Sequence, residues 1–215
     1  MSNVTSQAME GRTAIGLKEW LFDPFTYVAG AKSLALGLAA ILLAGLVGSF
    51  SNSHFDGVLD FHTGFPAGTG VFLIEGVVAW LSLAVILFIL GKLVSKTAFR
   101  AIDLFGTQAM ARWPSLLIAL AALAPPYQRY LGHIAAKLKL TNVGGGVSIY
   151  STDAVFFGFL LVIIVLAVVW MVALMYRAYT VCCNIKGAKA IATFIGGLLA
   201  AEVVGKLVLL RVAMR

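Results

Sequence analysis

Three charged residues, Glu75, Glu202 and Lys206, fall inside long apolar stretches of the sequence. A charge at the centre of a bilayer costs about 2.5–3.5 kcal/mol by insertion scales, so each needs a partner or a task. Glu202 and Lys206 are four residues apart, on one helix face and in the favourable order for an ion pair. Counting about 1.5 Å per residue, Glu202 lies roughly 20 Å along the last stretch and Glu75 only about 6 Å into its own. The three are expected to meet as one polar cluster near one membrane surface. Such a cluster could hold a cation, a proton or a lipid headgroup. The simpler alternative is a structural pair, with Lys206 reaching its ammonium to the surface.

Other residues offer less. His54, Asp56, Asp60 and His62 are acceptable metal ligands by type. Their spacing matches no metal motif, and no metal is assigned. Cys182 and Cys183 are adjacent, which gives neither a disulfide framework nor a spaced zinc set. His133 reads as an interfacial residue near a span end. The run Gly144–Gly145–Gly146 is a turn. There is no phosphate-cradling loop with Lys and Ser or Thr, no zinc-protease pair and no serine elbow. No catalytic residue, cofactor or enzymatic activity is therefore expected.

The elements that must position these residues follow from composition. Of 215 residues, 61% are hydrophobic and 12% charged. Soluble domains run near 45–50% and about 25%, so a soluble or disordered chain is excluded. The net charge is +7, from 16 Lys and Arg against 9 Asp and Glu. In so apolar a chain this reads as basic loops facing an anionic leaflet, and no nucleic-acid partner is expected. The predicted fold is an all-α integral membrane bundle. Spans are expected at about 32–51, 71–91, 113–130, 154–176 and 188–210, behind an interfacial segment at 1–30. Asp23–Pro24 predicts an N-cap and first helical residue, with the helix running on into the first span. The third span is the shortest, with 16 uncharged residues between Arg112 and Arg129. Thr193, Gly197, Ala201 and Gly205 make a small-residue stripe suited to close packing, within the chain or against a partner.

The loop after the first span carries no Lys or Arg, which places the N-terminus in the cytoplasm. Five spans put ten basic residues inside and six outside. A re-entrant third segment would put thirteen inside and three outside.

The chain resembles the Yip family of small five-span membrane proteins. The likeness covers about residues 17–211. It rests on the pre-membrane LFDPF, on five spans of this order and spacing, and on YRAYTVCCNIKGAKAI between the last two. Eukaryotic members carry a longer acidic N-terminal region and an Asp-Leu-Tyr-Gly-Pro type motif, where this chain has Phe-Asp-Pro-Phe. The resemblance therefore implies the bacterial branch and does not extend to small-GTPase binding. It implies five helices, a cytoplasmic N-terminus and an external C-terminus in the inner membrane. The expected function is non-enzymatic, through helix packing with membrane partners or lipids. The alternatives are an accessory subunit of a larger complex and a small transporter or channel component using Glu75, Glu202 and Lys206. Expected partners are the bilayer and other membrane subunits or a second copy of the chain.

Overall fold

The computed structural model describes residues 16–137 and 151–213. Eight helices and one two-stranded hairpin are found among them: α1 Leu17–Phe22, α2 Gly30–Ser51, α3 Thr69–Val94, α4 Ala101–Met110, α5 Pro114–Leu123, α6 Pro125–Lys137, α7 Ser151–Cys183 and α8 Gly187–Ala213. Strands β1 (Ser53–His54) and β2 (His62–Thr63) pair antiparallel between α2 and α3. Four helices, α2, α3, α7 and α8, are long and apolar enough to cross a membrane.

Side chains with fixed backbone preferences set the helix limits. Asn52 and Asn184 take left-handed backbone (φ 51° and 49°) after α2 and α7. Asparagine tolerates that region better than other residues with a Cβ, so both helices stop there. The helix expected to start at Asp23 and enter the first span does not form. Pro24–Thr26 make a single 3-10 turn, Ala29 is extended, and Gly30 restarts the chain at φ 67°. Asp23 makes no capping bond, because its carboxylate is bound by Arg177 and Thr26.

The third expected span also differs. Residues 113–130 are not one helix: Ala124 is extended ahead of Pro125, as a residue before proline prefers, and α6 begins a new direction. The segment lying along α2 is instead 101–123, made of α4 and α5. Gly37 of α2 meets Ala109 and Met110 of α4. Further along, Ala44 shares a core cluster with Ile118, Ala119 and Ala122 of α5. The kink between α4 and α5 has a local cause. Pro114 has no N–H for the carbonyl of Met110, and Trp113 N donates to it instead at 3.1 Å. Three-residue spacing persists through Ser115 N to Arg112 O (2.9 Å) and Leu116 N to Trp113 O (3.1 Å). The result is a tight 3-10 corner.

Neighbouring contacts give each element its direction. α3 runs antiparallel to α2, with Gly45 against Phe72 and Gly76 against Ile41. α7 runs antiparallel to the α4–α5 pair, with Trp113 against Trp170 (4.6 Å between ring centroids) and Gln108 Nε2 donating to Met175 O (2.9 Å). α8 runs antiparallel to α3, with Gly197 against Leu87 and Leu90, and Gly205 against Ser82. The near end of the bundle holds the start of α2 and the α7–α8 turn. The far end holds the β-hairpin and the end of α8. The main core gathers Leu83, Leu87, Leu104, Met171, Met175, Tyr179, Phe194 and Leu198. Lipid is as apolar as these side chains, so close packing rather than water exclusion must hold such helices together.

The approach of α2 to α4 is the tightest. A Cβ on Gly37 would fall on the backbone of Ala109 and Met110 and 2.6 Å from the Ala109 Cβ, and backbone cannot step aside. Gly37→Ala is expected to lose about 1–3 kcal/mol of stability by overpacking. Gly196→Ala, where a Cβ meets nothing within 4 Å, is the matched control and should be neutral or slightly stabilising. Thermal unfolding of both variants in detergent checks the difference.

Candidate functional site

The connection between α2 and α3 does not stay at the bundle surface. β1 and β2 pair at its base, in the register Ser53↔Thr63 and His54↔His62, and the residues between them turn into the bundle. Phe55 is buried beside Ile118, Ala119, Ala122 and Tyr127. Val58 is buried in the main core with Leu83, Leu87 and Met110. A non-helical tip thus lies among helices, where its backbone groups must be satisfied by protein.

Two charged side chains meet that need. The Glu202 carboxylate accepts from Val58 N (2.7 Å) and Leu59 N (3.0 Å) through one oxygen. Arg112 donates to the carbonyls of Val58 and Gly57 at 3.5 Å each. Arg112 is 2% exposed, the largest fully buried side chain among the described residues. It sits at the kink, with ten residues of helix on either side, and Glu202 supplies the opposing charge that acts on it. The tip passes the carboxylate closely at Gly57, where a Cβ would stand 2.8 Å from Glu202 Cδ and push that side chain aside.

Glu75 has a different partner. Its Oε1 lies 2.8 Å from His54 Nδ1, and its Oε2 accepts from Phe55 N at 3.3 Å. His54 Nε2 bonds the Phe65 carbonyl at 3.0 Å, and its ring stacks on Phe72 (4.5 Å) and His62 (5.3 Å). A carbonyl can only accept, so Nε2 carries a proton. The Nδ1···Oε1 bond then needs one more proton, on either group. In this geometry the His54–Glu75 pair is net neutral, which suits its burial.

Lys206 binds the Asp60 carboxylate and stands 3.6 Å from Glu202. Asp56 and Asp60 approach His62 Nδ1 at 3.6 and 3.9 Å. One ligand atom from each of Asp56, Asp60 and His62 fits within a 4.8 Å span. An ammonium from the chain itself already occupies Asp60, so a divalent ion would have to displace it. A cleft of about 380 Å³ opens beside this group between α3 and α8, lined by Asp56, Glu75, Lys206 and aliphatic side chains.

Glu75, Glu202 and Lys206 therefore stand at one end of the bundle, but through intermediaries. Only Glu202 and Lys206 pair directly, and the hairpin residues His54, Asp56 and Asp60 stand between them and Glu75. The stripe Thr193, Gly197, Ala201 and Gly205 is filled by the chain itself. Thr193 Oγ1 accepts from the Tyr179 hydroxyl at 3.1 Å, Ala201 is fully buried, and the two glycines face α3. Cys183 is buried in the main core and Cys182 Sγ lies 3.2 Å from Thr107 Oγ1. The residues at 144–146 lie outside the described residues.

Sequence reasoning missed Arg112, taking it only as the charged boundary of the third expected span. A signal was present. Residues 101–123 read as one apolar stretch once Asp103 is set aside as the i,i+3 partner of Arg100 (2.8 Å). Arg112 then stands alone in the middle of a potential span. The link from His54 to Glu75 had no such signal, because it depends on how the hairpin folds. No family model, curated protein or solved structure matches the chain.

Glu202→Ala leaves two N–H groups of the inward tip unmatched and Arg112 without its opposing charge. A loss of about 2–4 kcal/mol is expected. Arg112→Met should also destabilise, and the double variant should cost less than the two losses added, by about 1 kcal/mol or more. Chemical denaturation in detergent measures the cycle, and simple additivity would remove the electrostatic link between the two residues.

Proposed function

We propose that the chain is a non-enzymatic bacterial inner-membrane protein of Yip type, working through its helix faces against membrane partners or lipids. The observation that carries this reading is where the interior charges are spent. Glu202 and Arg112 serve the hairpin backbone, and Glu75 is held by His54 and Phe55 N. Among the described residues these interior charges are committed to the fold, which counts against the transporter reading.

Five crossings belong to this proposal. Four come from α2, α3, α7 and α8. The fifth is the α4–α5 pair, about 35 Å long at 1.5 Å per residue, set against a hydrocarbon core of about 30 Å. Its direction along α2 supports an odd number of crossings, with the N-terminus in the cytoplasm and the C-terminus outside. Withdrawing Arg112 into the bundle leaves Lys92, Lys96 and Arg100 in the second cytoplasmic connection.

An accessory subunit of a larger complex is the second reading, and α7 favours it. α7 is the least covered of the four long helices, and Phe159, Val162, Leu166 and Val169 are exposed along one flank. Such a flank suits either lipid or a partner helix.

A reporter fused after Arg215 should read as external, and a cytoplasmic signal would overturn five crossings. A photo-crosslinking residue at Leu166, used in native membranes, should give discrete adducts. One stoichiometric foreign chain makes this an accessory subunit; adducts with the chain itself or with lipid support the stand-alone reading. A smear that is unchanged when the probe is moved to buried Met175 would overturn a function carried by the α7 face.

A further inference from the structure

The hairpin carries more negative charge than the cations of the chain answer. Asp56, Asp60 and Glu202 are set against Lys206 and Arg112, and the His54–Glu75 pair is net neutral. With a neutral His62, one negative charge is left over. The surplus falls on Asp56, because Lys206 is held between Asp60 and Glu202. Asp56 Oδ1 has no hydrogen-bond donor among the described residues. His62 Nδ1 stands 3.6 Å away, too long for a hydrogen bond.

A spacing that is too long for hydrogen bonds suits ligation. Two ligand atoms on a tetrahedral ion lie about 3.4 Å apart when each bond is about 2.1 Å. His62 Nδ1 is 3.6 Å from Asp56 Oδ1 and 3.9 Å from Asp60 Oδ1, and one atom from each of the three side chains fits within 4.8 Å. Side-chain shifts on the order of 1 Å bring all three to one ion. The His62 ring is already oriented. It stacks on His54 (5.3 Å, 16°), and His54 is fixed by Glu75 and the Phe65 carbonyl. Restraint of this kind from outside the ligand set fixes the ring of a ligating histidine. Access is from the rim and not from the α3–α8 cleft: the side chains of His62, Asp60 and Asp56 are 46%, 35% and 31% exposed. The remaining coordination position falls to water.

We propose that Asp56, Asp60 and His62 Nδ1 bind one divalent ion of the zinc type, and that the ion sends the Lys206 ammonium from Asp60 to Glu202. The second seat is in place. Glu202 Oε1 stands 3.6 Å from Lys206 Nζ, one turn back on α8, while Oε2 serves the hairpin backbone. The imidazole selects the ion. Zinc takes nitrogen and carboxylate ligands together, whereas magnesium and calcium take oxygen ligands. The inference rests on the hairpin geometry and stands apart from the Yip-type reading and from the α7 face.

The test uses the full chain in a mild detergent, free of any affinity tag and stripped of metal with a chelator. Chloride salts of zinc, manganese and magnesium are titrated in turn by calorimetry. One equivalent of zinc should bind, about tenfold or more tighter than manganese, with no measurable binding of magnesium. His62→Gln should lower the zinc affinity about tenfold or more, with helical circular dichroism unchanged. Lys206→Met removes the competing ammonium and should raise the zinc affinity several-fold. No zinc binding, equal affinity for zinc and magnesium, or a zinc affinity that His62→Gln leaves unchanged would overturn the site. A zinc affinity that Lys206→Met leaves unchanged or lowers would overturn the displacement. Should Lys206→Met lose its fold, Lys206→Arg takes its place: a guanidinium holds Asp60 with two hydrogen bonds, so the zinc affinity should fall, and an unchanged or raised affinity would overturn the displacement.

Discussion

A non-helical loop inside a helical bundle must find a partner for each N–H and C=O it carries, because neither lipid nor packed side chains can supply one. Here the β1–β2 hairpin sends Gly57, Val58 and Leu59 inward, and two long side chains from different helices reach them. Glu202 takes the N–H groups and Arg112 addresses the carbonyls. The arrangement is reciprocal. The backbone dipoles solvate charges that would otherwise be costly to bury, and the charges satisfy a backbone that would otherwise be costly to bury. Removing one side of the exchange strands the other.

That exchange ties together elements far apart in sequence. Arg112 stands at the kink between α4 and α5, which Pro114 creates by lacking an N–H. Glu202 lies on α8, the last helix. The hairpin follows the first long helix. The kink also sets where α4 and α5 meet α2, and Gly37 is bare where α4 comes closest. The glycines and the buried charges thus address one problem: a helix pair must pack tightly while its corner carries a cation.

At the far end, polar groups are layered by how fully they are used. His54 and Glu75 satisfy each other and the hairpin base. Lys206 bridges Asp60 and Glu202 at the rim. Asp56, beside the lateral cleft, keeps a buried oxygen without a donor among the described residues.

Apolar runs of about 20 residues state their own secondary structure, because a backbone in lipid must satisfy itself within the helix. The sequence alone therefore determined a helical membrane bundle, the four long helices and the ion pair of Glu202 with Lys206, which sit one turn apart on any helix. Tertiary structure decided the rest, and for one reason: partners far apart in sequence leave no periodic trace. Residues 113–130 look like a span by the absence of charge, yet Pro125 ends that helix and the buried Arg112 lies inside the segment that packs on α2. Glu75 and Lys206 look like natural partners, yet the hairpin places His54 on one and Asp60 on the other. Only the folded chain brings a loop, a kink and a last helix to the same point, and that point is where the charges find their use.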